Sequence, residues 1–233
     1  MFSNIKVISF DADDTLWVNE PFYRETEAEF CKLLSDFHSE EFVNDELFKT
    51  EMKNLELYGY GAKGFILSLI ETALRITDNK LPQETIGKII DLGKQLLNKP
   101  LELIDGVEGV LKSLSKSGYK LIVATKGDLL DQERKLKKSK LNKYFHHIEV
   151  MTDKKSQNYI SLLSHLDIKP REFVMVGNSL RSDIIPVLEI GAHAIHIPFH
   201  TTWIHEEVGE KELEAKNFTN IEVISELLGL FKI

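Results

Sequence analysis

The sequence predicts an α/β protein: a doubly wound parallel sheet with an all-helical block inserted after its first strand. Three observations predict it. Short apolar, β-branched runs alternate with amphipathic helices from residue 101 onward. One more such run, Ile5–Phe10, stands alone near the start. Between them, from Glu20 to about Asn98, aromatics and leucines recur only at helical spacing.

Taken in order, Ile5–Phe10 (IKVISF) reads as a buried strand ending in Asp11-Ala-Asp13-Asp14. The helical block follows, with Phe30, Leu33, Leu34 and Phe37, then Phe65, Leu69 and Leu74, marking apolar faces. After Pro100, a helix over Gly109–Lys116 stops at Gly118 and strand Tyr119–Ala124 follows. A charged helix over Leu129–Lys140, strand His147–Met151 and helix Ser156–His165 come next. Strand Phe173–Val176, helix Asp183–Ile190, strand Ala194–Ile197 and a last helix, Ile221–Leu230, complete the order. The expected division is 1–17 with 101–233 as the α/β core and 18–100 as the helical insert.

Composition narrows the function. With 42% hydrophobic and 28% charged residues in a chain of 233, a packed globular protein is expected and global disorder is excluded. The 29 Lys+Arg against 37 Asp+Glu give a net charge of −8, which argues against a nucleic-acid partner. Cys31 is the single cysteine, so no internal disulfide can form and a reducing compartment is favoured. Met1–Lys6 lack a charged stretch leading into an apolar one, so no secretory leader is expected. No apolar run approaches bilayer length, and a cytoplasmic protein with no membrane partner is expected.

Ligands of open α/β sheets bind beyond the carboxyl ends of the strands. Asp11, Asp13, Asp14 and Thr15 follow the first strand, and Thr125, Lys126, Gly127 and Asp128 the second. Lys154 and Lys155 lie beyond the third, and Gly177, Asn178, Ser179 and Asp183 beyond the fourth. Carboxylates gathered at one point repel, and a hard cation such as Mg²⁺ with oxygen ligands relieves them. A lysine and a threonine hydroxyl beside that cation suit phosphate, with Thr125, Lys126 and Lys154 as its candidate ligands. One aspartate can then be the nucleophile, and a second, two residues on, can carry the proton.

These motifs resemble the haloacid dehalogenase-like (HAD) hydrolase superfamily over nearly the whole chain. The resemblance rests on Asp11-Ala-Asp13-Asp-Thr15-Leu after an N-terminal strand, Thr125 closing IVAT, Lys154 in TDKKSQNY, and GNSLRSD over Gly177–Asp183. It implies that the helical insert is a cap. It implies further that Asp11 is nucleophile and Mg²⁺ ligand, and that Asp13 is acid–base and lends the metal its backbone carbonyl. Thr125 would hydrogen-bond the phosphoryl group, Lys154 would neutralise it, and Asn178 and Asp183 would complete the metal site. Lys155 rivals Lys154, but the interval from Lys154 to Tyr159 resembles the family better. The family commonly has Asp where this chain has Asn178, which removes a negative charge and implies weaker metal binding.

Haloacid dehalogenases and phosphonatases lack an acid at the position of Asp13, so the resemblance points to a Mg²⁺-dependent phosphatase of a small phosphorylated metabolite. A phosphomutase, or a weakly catalytic protein that binds a phosphorylated ligand, are the alternatives. Gly59-Tyr-Gly61-Ala-Lys63-Gly64 matches G-x-G-x-x-G, but no strand precedes it, so a bend between helices is expected there. The basic run Arg134–Lys140 shares its helix with Asp131 and Glu133 and reads as a solvated face. His193, His196, His200 and His205 fit no zinc spacing, and no G-x-S-x-G is present.

Overall fold

The computed structural model describes residues 2, 4–209 and 218–233. Contacts divide the chain into two compact units, Met1–Glu20 with Leu101–Lys126 and Gln132–Ile233, and Pro21–Pro100 with Gly127–Asp131.

Among its described residues the first unit carries a six-stranded sheet of order β3-β2-β1-β4-β5-β6, every neighbouring pair parallel. Its strands are β1 (Val7–Phe10), β2 (Lys120–Lys126), β3 (His147–Met151), β4 (Phe173–Gly177), β5 (His193–His196) and β6 (Thr219–Asn220). β1 lies between β2 and β4, with Phe10 opposite Val123 and Val176, and all four of its residues are buried. A strand covered on both faces has no polar side to show, which is why it is apolar at every position but the buried Ser9. Alternate residues serve two cores. Ile8, Phe10, Leu121, Val123, Val174, Val176 and Ile195 meet α5 (Val107–Lys116) and the C-terminal Leu227 and Phe231. Val7, Ile122, Ala124, Phe173, Met175 and Ala194 meet Tyr159, Leu162 and Leu163 of α7 (Ser156–His165) and Val187. The order of strands reverses direction from β1, which starts one half of the sheet through β2 and the other through β4.

The second unit holds helices Glu20–Leu33 (α1, with Glu20 itself in the first unit), Glu40–Tyr58 (α2), Ala62–Ile76 (α3) and Gln83–Leu97 (α4). They bury Phe30, Leu34, Leu47, Phe65, Leu69 and Ile89 in a core of their own. Gly59 and Gly61 take positive φ (71° and 113°) between α2 and α3, so the glycine pattern is a bend, as expected. Among the described residues no helix is long and apolar enough to cross a membrane.

Two stretches of the first unit depart from expectation. The helix expected over Asp183–Ile190 is a π-helical turn, Leu180–Ile184, followed by the short α8 (Ile185–Glu189). Ser179 caps that turn through its side chain, and Pro186 has no N–H to extend a regular ladder backwards. The helix expected over Ile221–Leu230 starts late: β6 precedes it, residues 221–223 are irregular, and a 3₁₀ turn at Ile224–Glu226 leads into the short α9 (Leu227–Leu230). Ile221 N–H still bonds to His196 in the sheet, and the Glu226 carboxylate takes the Glu222 and Val223 N–H groups, delaying the helix.

Candidate active site

The chain leaves β1 and turns at once: Leu16 N–H donates to the Ala12 carbonyl (2.8 Å), and Asp14 adopts φ 58°. This separates the three aspartates. The Asp14 carboxylate faces away and accepts the N–H groups of Asn19 (2.8 Å) and Glu20 (3.0 Å) at the start of α1. Burial pushes its pKa up to about 7 against those bonds, so Asp14 is a buried helix cap.

Asp11 stays at the strand end. The Lys154 ammonium, only 3% exposed, donates to Asp11 Oδ1 and to Asp183 Oδ1 (2.6 Å). Asp183 is fully buried on the π-helical turn, where its Oδ2 accepts the Ser179 N–H (3.0 Å). Gly177 makes room for it, since a Cβ there would lie 2.2 Å from Asp183 Oδ2. Burial raises the Asp11 pKa to about 7 despite the lysine, with Asp183 adding repulsion. Burial opposes the Lys154 charge as well, but the two carboxylates outweigh it and hold the ammonium above the ordinary lysine value. Two buried carboxylates thus share one ammonium. Lys155, by contrast, is exposed and pairs with Asp153 (2.8 Å).

Asp13 is held from three sides. Its Oδ1 accepts Trp17 Nε1–H (2.7 Å) and Lys135 Nζ–H (2.9 Å), and its Oδ2 accepts Gln132 Nε2–H (2.7 Å). Gln132 Nε2 also approaches Thr125 Oγ1 (3.2 Å) and the Lys126 carbonyl (2.8 Å), tying Asp13 to the end of β2. Lys135 belongs to the run read as a solvated face; the structure corrects that reading for this residue, which turns inward because α6 (Leu129–Ser139) buries its Gln132–Leu136 face. Asn178 accepts the Thr15 hydroxyl (3.2 Å) on Oδ1, and its backbone carbonyl meets His196 Nε2 (2.9 Å).

The Lys126 ammonium is engaged within the protein, donating to Glu206 and to Ser182 Oγ (2.8 Å). Asp128 ion-pairs with Lys63 (2.9 Å). The chain around these ends matches the family model of the haloacid dehalogenase-like hydrolases over residues 5–191. The chain belongs to the haloacid dehalogenase-like hydrolase family. A haloacid dehalogenase-like family hydrolase from Xanthomonas campestris is 40% identical and superposes with a TM-score of 0.80, covering 86% of this chain and 84% of that one. N-acylneuraminate-9-phosphatase of Rattus norvegicus is 28% identical over 222 residues, 89% of this chain and 85% of that protein. Glyceraldehyde 3-phosphate phosphatase of Pyrococcus furiosus is 27% identical over 139 residues, 57% of this chain and 55% of that protein, so this match spans about half of the archaeal protein.

In this HAD-like hydrolase, sequence reasoning missed Gln132, Lys135, Trp17 and Glu206. Glu206 lies far along the chain in a short 3₁₀ turn and accepts Ser182 Oγ–H (2.6 Å) and Ser179 Oγ–H beside Lys126. It thereby braces the turn that carries Asp183. Burial works against the Glu206 charge, yet Lys126 and the two hydroxyls hold its pKa down at about 2, against an ordinary 4.5. A depressed carboxylate stabilises the fold above its unfolded pKa and stops doing so as pH falls through the folded one. Glu206→Gln is therefore expected to lose about 3 kcal/mol at pH 7 relative to the native chain. That difference should shrink as pH drops from 4.5 toward 2. Urea unfolding of both chains across that range checks it, and a pH-independent difference would contradict it.

Proposed function

We propose that the chain is a phosphatase that hydrolyses a small phosphomonoester through a phosphorylated Asp11. The observation that carries this reading is the buried Asp11 carboxylate, held at the end of β1 by Lys154 and faced by Asp183. Two relatives whose names are those of phosphatases, of N-acylneuraminate-9-phosphate type and of glyceraldehyde 3-phosphate, support a small phosphorylated metabolite as substrate.

In the first step an Asp11 oxygen attacks phosphorus. The ester P–O bond breaks with its electron pair going to the departing oxygen, and Asp13 gives that oxygen a proton. In the second step water attacks the phosphorus of the acyl phosphate while Asp13, now a carboxylate, takes the water's proton. The Asp11–phosphorus bond breaks and inorganic phosphate leaves. The Thr125 hydroxyl and the Lys154 ammonium bind phosphoryl oxygens and offset charge in both steps.

The donor set fits a hard divalent cation. Two buried carboxylates against one ammonium leave an excess of negative charge, and burial lifts Asp11 to about 7 for want of more compensation. Among the described residues no three His, Cys, Asp or Glu side chains form a cage, so the amide of Asn178 and the Asp13 backbone carbonyl would join Asp11 and Asp183 as oxygen ligands. Bound there, Mg²⁺ supplies positive charge against the phosphoryl oxygens and the carboxylates.

Phosphate release from a panel of small phosphomonoesters tests the reading. Release is expected to require Mg²⁺, to stop on adding EDTA and to return with excess Mg²⁺. Folded protein that releases phosphate from no ester, even at millimolar Mg²⁺, would count against it.

A further inference from the structure

We propose that Lys135 and Gln132, one turn apart on α6, are positioning residues that fix Asp13 for proton transfer to the departing alcohol. The inference rests on the phosphatase reading above and adds two residues to it. A carboxylate offers about four lone-pair positions. In Asp13, Trp17 and Lys135 fill both on Oδ1 and Gln132 fills one on Oδ2. One position is left, on Oδ2, and the proton that Asp13 gives and retrieves sits there. An unrestrained carboxyl would share its proton between two oxygens and several rotamers; this one presents a single site in a single direction.

The orientation of Gln132 supports a role beyond packing. Its amide nitrogen faces three acceptors, Asp13 Oδ2, Thr125 Oγ1 and the Lys126 carbonyl, though it carries only two hydrogens. Its Oε1 is buried and has no hydrogen-bond partner among the described residues. Lys135 adds a second anchor, since its ammonium also reaches Asn19 Oδ1 (2.7 Å) and so ties α6 to the segment that follows Asp13. As Asp13 releases its proton to the ester oxygen it gains negative charge, and the ammonium stabilises that charge as it develops.

The test exploits leaving-group chemistry. A p-nitrophenyl ester departs as a phenolate and needs little proton donation, whereas an alkyl ester such as glycerol phosphate must be protonated to leave. Because kcat/KM counts only the steps through departure of the leaving group, it isolates the proton given by Asp13. Lys135→Met and Gln132→Leu should each lower kcat/KM for the alkyl ester by on the order of 10²-fold, and for the aryl ester at least about tenfold less. Lys135→Arg should recover most of the alkyl activity. In an Asp13→Asn background, Lys135→Met should cost no more than about twofold further, because both act through the same carboxyl. Equal losses on the two esters in both variants, no loss on either, or full additivity with Asp13→Asn would overturn the proposal. A native chain inactive on both esters would strike the phosphatase reading instead.

Discussion

Asp11→Asn is expected to abolish phosphate release, by on the order of 10⁴–10⁶-fold, because a carboxamide cannot take the phosphoryl group. The same variant should remain folded. Lys154 keeps Asp183 as a partner at 2.6 Å, so the buried ammonium is not stranded. Stability should even rise at high pH. The folded pKa of Asp11, about 7, lies above its ordinary 3.8, so the native chain is favoured by a protonated Asp11 at low pH and loses that advantage as pH rises through 7. An asparagine removes the loss. The variant should gain on the native chain between pH 4 and 7, read as the difference in urea midpoint. Destabilisation at pH 8 would contradict the electrostatic account of the site even if activity were lost.

Lys154→Met is expected to act in the opposite sense. It leaves Asp11 and Asp183 buried against one another with no ammonium between them. Removing one partner of a buried pair costs about 3–5 kcal/mol, and the cost here should fall on stability and activity together. Phosphate release should drop by at least about 10²-fold through loss of the phosphoryl contact proposed for Lys154. The loss of stability should be largest at pH 8 and shrink toward pH 5, where the orphaned Asp11 can hold a proton. Chemical unfolding at both values checks the sign. A loss that is the same at the two pH values, or larger at pH 5, would mean that Lys154 contributes by packing and not by charge.

Most of the candidate site was legible because a parallel sheet announces itself. Strands buried on both faces must be apolar along their length, so polar residues stand out where β1, β2 and β4 end, at Asp11, Thr125 and Asn178. Lys154 was separated from Lys155 only by resemblance, and the structure separates them by burial, one beneath the sheet ends and one in solvent. Lys135 was hidden by its neighbours. In a run of basic residues one lysine looks like another, and only its place on the helix distinguishes it. A signal was present: Gln132, Leu136 and Ser139 recur at helical spacing and are all buried, which puts Lys135 at the edge of the inward face of α6. Glu206 offered none. It acts from an irregular segment more than twenty residues beyond the motif it braces, where neither period nor spacing marks it. The π-helical turn was equally unreadable, since it depends on Asp183 folding back onto the Ser179 N–H over a glycine that leaves room.

The central claim is that the phosphoryl group passes through Asp11. Native protein would be mixed with its best ester, quenched in acid within a turnover, and reduced with borohydride, which converts an acyl phosphate to the alcohol. Digestion and mass spectrometry then read position 11. The account predicts homoserine there, in amounts that follow the burst of leaving group. Unaltered aspartate at position 11 throughout active turnover, or reduction at another carboxylate, would contradict it.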